Sequence, residues 1–263
     1  MKLLKGKSVI ITGAARGLGF AASRECLACG AYLAMVDFNR EGLGNAVEEL
    51  KKEFPQAKIL PIVADVSNEQ EVKGYVDKVV EVYGRIDGFY NNAGIEGKLT
   101  PFHEYDVELF KKVLDINVMG VVYGLRHVLP VMKEQGYGRV VNVSSAGGIR
   151  ATVRHSAYVA SKHAVAGVTK SAALEYGKFG VVVNAVAPGL IKTQMAEEAL
   201  WMMNPENPDA AEKLFCDRNP VGRLGKPEEI AAVVVFLLGE KCSYLNGHIL
   251  VVDGGESNVF GPI

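Results

Sequence analysis

The stretch TGAARGLG, residues 12–19, decides the fold. It follows the apolar run SVIIT (8–12) and opens onto a segment in which Leu18, Ala22, Cys26 and Cys29 share one helical face. Gly13, Gly17 and Gly19 at such a strand-to-helix junction permit a tight turn and close backbone approach. The helix N-terminus that follows offers unpaired amides and a favourable dipole to a pyrophosphate, with Arg16 and Leu18 in the same turn. A bare glycine pattern is weak evidence. This one lies near the N-terminus, between a strand and a helix, where a dinucleotide-binding fold makes its first crossover, and that context strengthens it. A glycine turn without a ligand is the alternative.

Working outward, short runs rich in valine and isoleucine recur at 8–12, 32–36, 59–64, 88–91, 139–143, 181–186 and 248–252. Each reads as a buried strand. Segments of helical length and period separate them at 40–53, 69–83, 107–133, 158–178 and 227–238. Strands that alternate with helices need crossover connections, so the expected architecture is α/β, a doubly wound (Rossmann) parallel sheet of seven strands with helices on both faces. No linker or repeat interrupts the alternation, and residues 1–263 read as a single domain. One stretch departs from it: residues 193–220 hold Trp201, three methionines and three prolines, and fit neither a crossover helix nor a solvated loop. It reads as an irregular substrate-binding lid, with a subunit contact as the alternative.

Twenty-nine basic and thirty acidic residues give a formal charge of -1, which excludes the electrostatic footprint of a nucleic-acid or anionic-membrane partner. The expected partner is a small molecule. The longest apolar run, 230–238, is too short to span a bilayer, and the opening MKLLKGK lacks the pattern of a secretory signal, so a cytoplasmic protein is expected. Cys26 and Cys29 form a Cys-x-x-Cys pair, but no second ligand pair exists, Cys216 and Cys242 are isolated, and a thiol on an apolar helix face packs as a small hydrophobe. No metal is expected.

Asp37 closes the second strand, eighteen residues after Gly19, where a carboxylate accepts hydrogen bonds from adenosine ribose hydroxyls and repels a 2′-phosphate. That favours NAD(H) over NADP(H), although Arg16 in the glycine turn is a conceivable phosphate partner. Phe38 follows Asp37 at the same strand end. Asp65, beside Val66 at the end of the third strand, can bond the adenine amino group or simply cap the next helix.

Tyr158 and Lys162, four apart on a helix, stack on one face, and Ser145 lies thirteen residues earlier, just past a buried strand. Open α/β sheets present ligand crevices at those strand ends. A lysine ammonium is expected to lower the tyrosine pKa from about 10 toward the range of a general acid or base, while Ser145 hydrogen-bonds the substrate oxygen. Neutral tyrosine donates during carbonyl reduction, and tyrosinate accepts during alcohol oxidation.

The glycine turn, NNAG (91–94), Asn117, Ser145, Tyr158-x-x-x-Lys162 and Pro188-Gly189 stand in an order that resembles the short-chain dehydrogenases/reductases of the branch with chains of about 250 residues. The resemblance covers essentially the whole chain. It implies that Asn117 completes a tetrad with Ser145, Tyr158 and Lys162 by holding a water that links Lys162 to solvent. It also implies that Asn91, Ala93 and Gly94 line the cofactor crevice, that Lys162 bonds the nicotinamide ribose, and that Pro188, Gly189, Ile191 and Thr193 hold the carboxamide. A homotetramer is expected on the same ground; the apolar tail 259–263 itself reads as reaching a neighbour or covering the substrate site. Within the family, NNAGIEGK (91–98) and NPENP (204–208) resemble segments of a reductase of a cyclic diketone.

The expected reaction is therefore interconversion of a secondary alcohol and a ketone. Glu96, Ile149, His155, Met195 and Trp201 are the candidate substrate wall, with solvated loop positions as the alternative for Glu96 and His155. An NADPH-dependent 3-oxoacyl-thioester reductase shares the tetrad, and a non-catalytic dinucleotide sensor shares the scaffold.

Overall fold

Valine-rich strands with no polar face are satisfied only inside a sheet covered on both sides. In the computed structural model, which describes residues 2–259, that is where they lie. The strands are β1 (Ser8–Thr12), β2 (Tyr32–Asp37), β3 (Ile59–Val63), β4 (Gly88–Asn91), β5 (Gly138–Val143), β6 (Val181–Pro188) and β7 (Ile249–Val252). All pair in parallel, in the order β3-β2-β1-β4-β5-β6-β7. Every residue of the four central neighbours β1, β4, β5 and β6 is buried, whereas the edge strands β3 and β7 are only half-covered.

Alternation along the strands divides the core in two. On one face Val9, Ile11, Leu33 and Met35 pack against Ala22 and Cys26 of α1 (Gly17–Ala28), Leu43 and Leu50 of α2 (Arg40–Glu53), and Ile230 and Val234 of α9 (Pro227–Leu238). On the other, Ile10, Ala34, Phe89 and Val183 meet Val72 and Val76 of α3 (Glu69–Tyr83), Leu125 of α5 (Gly120–Gln135) and Val165 of α6 (Ser156–Tyr176). Each fully buried Val, Leu or Ile contributes roughly 1.5–3 kcal/mol, so a one-residue register slip in any central strand is heavily disfavoured. The Cys26 thiol sits inside the first core, where burial pushes its pKa up. Among the described residues no helix is long and apolar enough to cross a membrane, and no cluster of His, Cys, Asp or Glu is arranged for a metal.

The strand order reverses between β1 and β4, which opens a crevice at their C-terminal ends. Two segments around it differ from the sequence expectation. The single helix read over 107–133 is α4 (Val107–Leu114), a π turn (Asp115–Met119) and α5 in unbroken succession. A period count averages over one inserted residue, and only the tertiary partner of Asn117 reveals it. Residues 193–220, read as irregular, form a helical pair, α7 (Gln194–Met203) and α8 (Pro208–Arg218). Thr193 and Asn207 cap them, and Pro208 occupies the first turn of α8, where no amide is needed. The prolines that suggested irregularity thus mark helix boundaries. The stretch 260–263, expected to reach a neighbour or the substrate site, lies outside the described residues.

Candidate active site

The glycine turn is built to leave amides open. Gly13 (φ 63°) and Gly17 (φ 56°) are left-handed, and a Cβ on Gly19 would stand 2.0 Å from the Gly13 carbonyl oxygen. Only glycine lets α1 start this close to β1. Side chains cap α2 from Asn39, α3 from Asn68 and α4 from Asp106, but Arg16 before α1 supplies no cap and its first turn holds no acid. The free amides and positive end of α1 therefore face the crevice, which fits a pyrophosphate. Thr12 Oγ1 accepts from the amides of Asn92 (2.9 Å) and Ala93 (3.1 Å), fastening this turn to the NNAG segment. An inward hydroxyl at a strand end has no sequence pattern of its own, so the role of Thr12 is visible only in the structure.

Asp37 is nearly buried. Its carboxylate accepts from Ala15 N (3.0 Å) and Asn39 N (2.9 Å), so the acceptor is held at the crevice with lone pairs to spare for ribose hydroxyls. Phe38 lies beside it at the rim, 74% exposed. Asp65 is not the cap of α3. Asn68 is, and Asp65 instead accepts from Ser67 N (2.9 Å) and Ser67 Oγ (2.7 Å) while lining the crevice with Val66. Arg16 donates to Gln194 Oε1 on α7, bridging the glycine turn to the helical pair.

Across the crevice, Ser145 follows β5, and Tyr158 and Lys162 project from α6. Ser145 Oγ accepts from Gly147 N (3.1 Å) and hydrogen-bonds Tyr158. Lys162 is buried and donates to the Val143 carbonyl (2.8 Å), with Nζ 5.5 Å from the centre of the Tyr158 ring. Burial pulls the Lys162 pKa down to about 8. The tyrosine departs from the expectation of a lowered pKa. Burial is the largest influence and pushes it up to about 12, the hydrogen bond with Ser145 works the other way, and the charge of Glu96 adds to the rise. Burial disfavours the phenolate, and Lys162, whose own pKa has fallen to about 8, is already uncharged at the pH where the phenol titrates.

Asn117 is fully buried in the π turn, as such bulges often place a functional side chain. Its amide accepts from Ile95 N (2.8 Å) and donates to Ile95 O (2.8 Å) and Ser161 Oγ (3.0 Å). A Cβ on Gly94 would lie 3.0 Å from Asn117 Oδ1 and 3.6 Å from Lys162 Nζ, so these three groups adjoin. Asn91 sits deeper, donating to Val121 O (3.1 Å) and joining β4 to α5.

Most of these groups surround one cavity of about 640 Å³, while Thr12, Asn91 and Asn117 stand behind its walls. Gly13, Gly17, Leu18, Asp37, Asp65, Ala93 and Gly94 line its first half, and Ser145, Tyr158, Lys162, Pro188, Gly189, Ile191 and Thr193 its second. Of the candidate substrate wall, Glu96, His155 and Met195 line it. Ile149 (39% exposed) and Trp201 (58% exposed) are not among its walls. Ile149 ends the short turn Ala146–Gly148 and faces solvent. For Trp201 the cause lies in α7, where Met195, Ala199 and Met203 recur every fourth residue and form the inward stripe, which turns Trp201 to another face. Phe215 of α8 completes that wall. The stripe was readable in the sequence once the segment was taken as a helix.

A family model described as enoyl-(acyl carrier protein) reductase matches residues 13–257. Levodione reductase of Leifsonia aquatica is 46% identical over 96% of this chain and 94% of its own length. The crystal structure of levodione reductase superposes with a TM-score of 0.96, covering 98% of this chain and 100% of that one at 46% identity. NAD+-bound xylitol dehydrogenase superposes with a TM-score of 0.90 at 34% identity, covering 96% of this chain and 99% of its own.

Proposed function

The chain belongs to the short-chain dehydrogenase/reductase family, and on that footing we propose that it is an NAD(H)-dependent oxidoreductase interconverting a secondary alcohol and a ketone, a cyclic ketone or diketone by preference. The observation that carries this reading is the meeting of Ser145, Tyr158 and Lys162 in one cavity with the open amides of α1. The nicotinamide supplies or takes the hydride when bound. The protein does the rest. Tyr158 gives a proton to the carbonyl oxygen in reduction and takes it back in oxidation, and Ser145 hydrogen-bonds the same oxygen. The phenol stays protonated across the neutral range, which suits it to donate, and Lys162 keeps a positive charge beside it below about pH 8. Asn117 holds the loop at Ile95 against α6 and would serve the proton path to Lys162.

NAD is the proposed cofactor because Asp37 presents a carboxylate where a 2′-phosphate would lie, and because Arg16 is engaged with Gln194. The cyclic-ketone preference rests on the likeness to levodione reductase and on the Met195, Met203 and Phe215 wall. Assaying the protein with NADH or NADPH against cyclic ketones, and with NAD or NADP against secondary alcohols, tests both parts. Turnover with NADH is expected. Silence toward every substrate despite dinucleotide binding would leave a sensor, and a strong NADPH preference would point to the thioester-reductase alternative.

The chain is further proposed to act as a cytoplasmic homotetramer. The exposed Phe236, Tyr244 and Val251 near the C-terminal edge of the sheet support association, and light scattering after gel filtration measures it.

A further inference from the structure

Beside Tyr158, and unused by the proton chemistry above, stands a pair of buried ionisable side chains. The His155 ring stacks on the Tyr158 ring with centroids 4.7 Å apart and planes 11° from parallel. His155 Nε2 lies 3.3 Å from Glu96 Oε1, close enough for attraction but off the angle of a hydrogen bond. His155 Nε2 and, on the other carboxylate oxygen, Glu96 Oε2 are both buried without a hydrogen-bond partner. Leaving such atoms unsatisfied is costly, and sites that tolerate it are usually completed by a ligand or water.

The backbone is committed to holding this arrangement. Arg154, immediately before His155, is left-handed (φ 64°), a conformation that non-glycine residues adopt rarely and at a cost in strain. Gly97, immediately after Glu96, is left-handed as well (φ 83°), and a Cβ there would stand 2.5 Å from the Tyr105 hydroxyl oxygen. The Thr100 amide donates to the Arg154 carbonyl (2.9 Å), tying the two loops together. Both side chains line the cavity. Glu96 keeps 15% of its side-chain surface accessible, and the terminal torsion of a carboxylate is soft, so a small rotation presents either oxygen inward.

We propose that Glu96 and His155 form a receptor for a second oxygen of the substrate, and that this oxygen is a hydroxyl. The inference rests on the oxidoreductase reading above, keeps its alcohol–ketone chemistry, and moves the preferred substrate from diketones to hydroxyketones and diols. A hydroxyl both donates and accepts, so it satisfies the carboxylate oxygen and the imidazole N–H together. A carbonyl only accepts and leaves Glu96 without a partner. Stacked on Tyr158, the receptor fixes the second oxygen relative to the reacting one.

The test is NADH- and NADPH-driven reduction of cyclohexanone, 3- and 4-hydroxycyclohexanone and cyclohexane-1,4-dione, read as ratios of kcat/KM within each enzyme so that losses of folded protein cancel. A hydroxyketone should exceed cyclohexanone by about 10- to 100-fold, as expected for a charge-assisted hydrogen bond, chiefly through KM, while the dione gains little. Glu96→Leu should bring the ratio near one. Glu96→Gln, which keeps the shape and a neutral acceptor, should leave an intermediate ratio, and His155→Phe, which keeps the stack, should lower it too. Equal gains for dione and hydroxyketone, no gain at all, or a gain that survives both Glu96 variants would overturn the receptor while the oxidoreductase stands. Failure of the wild type to reduce any of the four with either cofactor would remove the oxidoreductase reading itself.

Discussion

On the β1–β2 side of the crevice the groups that face the cavity are backbone amides kept open by glycines, and the one acid there, Asp37, is itself fastened by the amides of Ala15 and Asn39. On the β5–β6 side they are side chains driven into burial, with Lys162 pulled down to about 8 and Tyr158 pushed up to about 12. A surface of amides recognises a phosphate without changing its own charge. Buried ionisable groups are strained in one protonation state and are therefore suited to moving protons. Substitutions on the first side should act on binding and packing, and those on the second on turnover and on pH dependence.

The sharpest attempt to break this contrast is Tyr158→Phe. Loss of the hydroxyl should reduce kcat by on the order of 10²- to 10⁴-fold while a fluorescence titration finds dinucleotide affinity changed by little. Near-normal turnover would end the assignment of the proton to this residue.

Next in size is Lys162→Met, read by denaturant unfolding. The folded pKa of about 8 lies below the ordinary 10.5, so below pH 8 the wild type carries the full penalty of a buried ammonium. The folded state binds fewer protons than the unfolded state between pH 8 and 10.5, and wild-type stability therefore gains relative to the variant across that window. The variant should be more stable at pH 7 by roughly 3 kcal/mol, less whatever the Val143 carbonyl loses, and the gap should close by pH 10.5. A gap that does not vary with pH would mean that the burial of Lys162 has no electrostatic consequence.

Gly19→Ala probes the opposite side. Crowding the Gly13 carbonyl should lower stability by roughly 1–3 kcal/mol and weaken dinucleotide binding, leaving the pH dependence of kcat in place. A shifted pH profile in that variant would blur the division of labour. Smallest is Asp37→Ala, which should lower NADH affinity by roughly tenfold, the size of a lost charged hydrogen bond, and raise affinity for NADPH. Unchanged cofactor discrimination would show that Asp37 does not select between them.

The two sides also differed in how openly the chain announced them. Local pattern was enough for the strands, for α2, α3 and α9 to their last residue, and for the glycine turn, because burial on both sheet faces demands continuous apolar runs and a tight turn demands glycine. Asn117 was recognisable as a motif member, yet its π turn was not, since a one-residue bulge leaves the apolar period almost untouched. Residues 193–220 misled by composition: prolines and methionines that looked irregular are helix boundaries and an inward stripe, and Trp201, expected in the substrate wall, stands outside the cavity lining.

The amino-acid order by itself determined the parallel α/β sheet, the place of its crevice and the residue types that meet there, because these follow from local periodicity and backbone sterics. Only the tertiary structure decided that the phenol is raised rather than lowered, that Arg16 reaches Gln194, and that His155 and Glu96 close on each other beside Tyr158. Burial and contact between residues far apart in the chain are properties of the packed whole, and no local pattern encodes them.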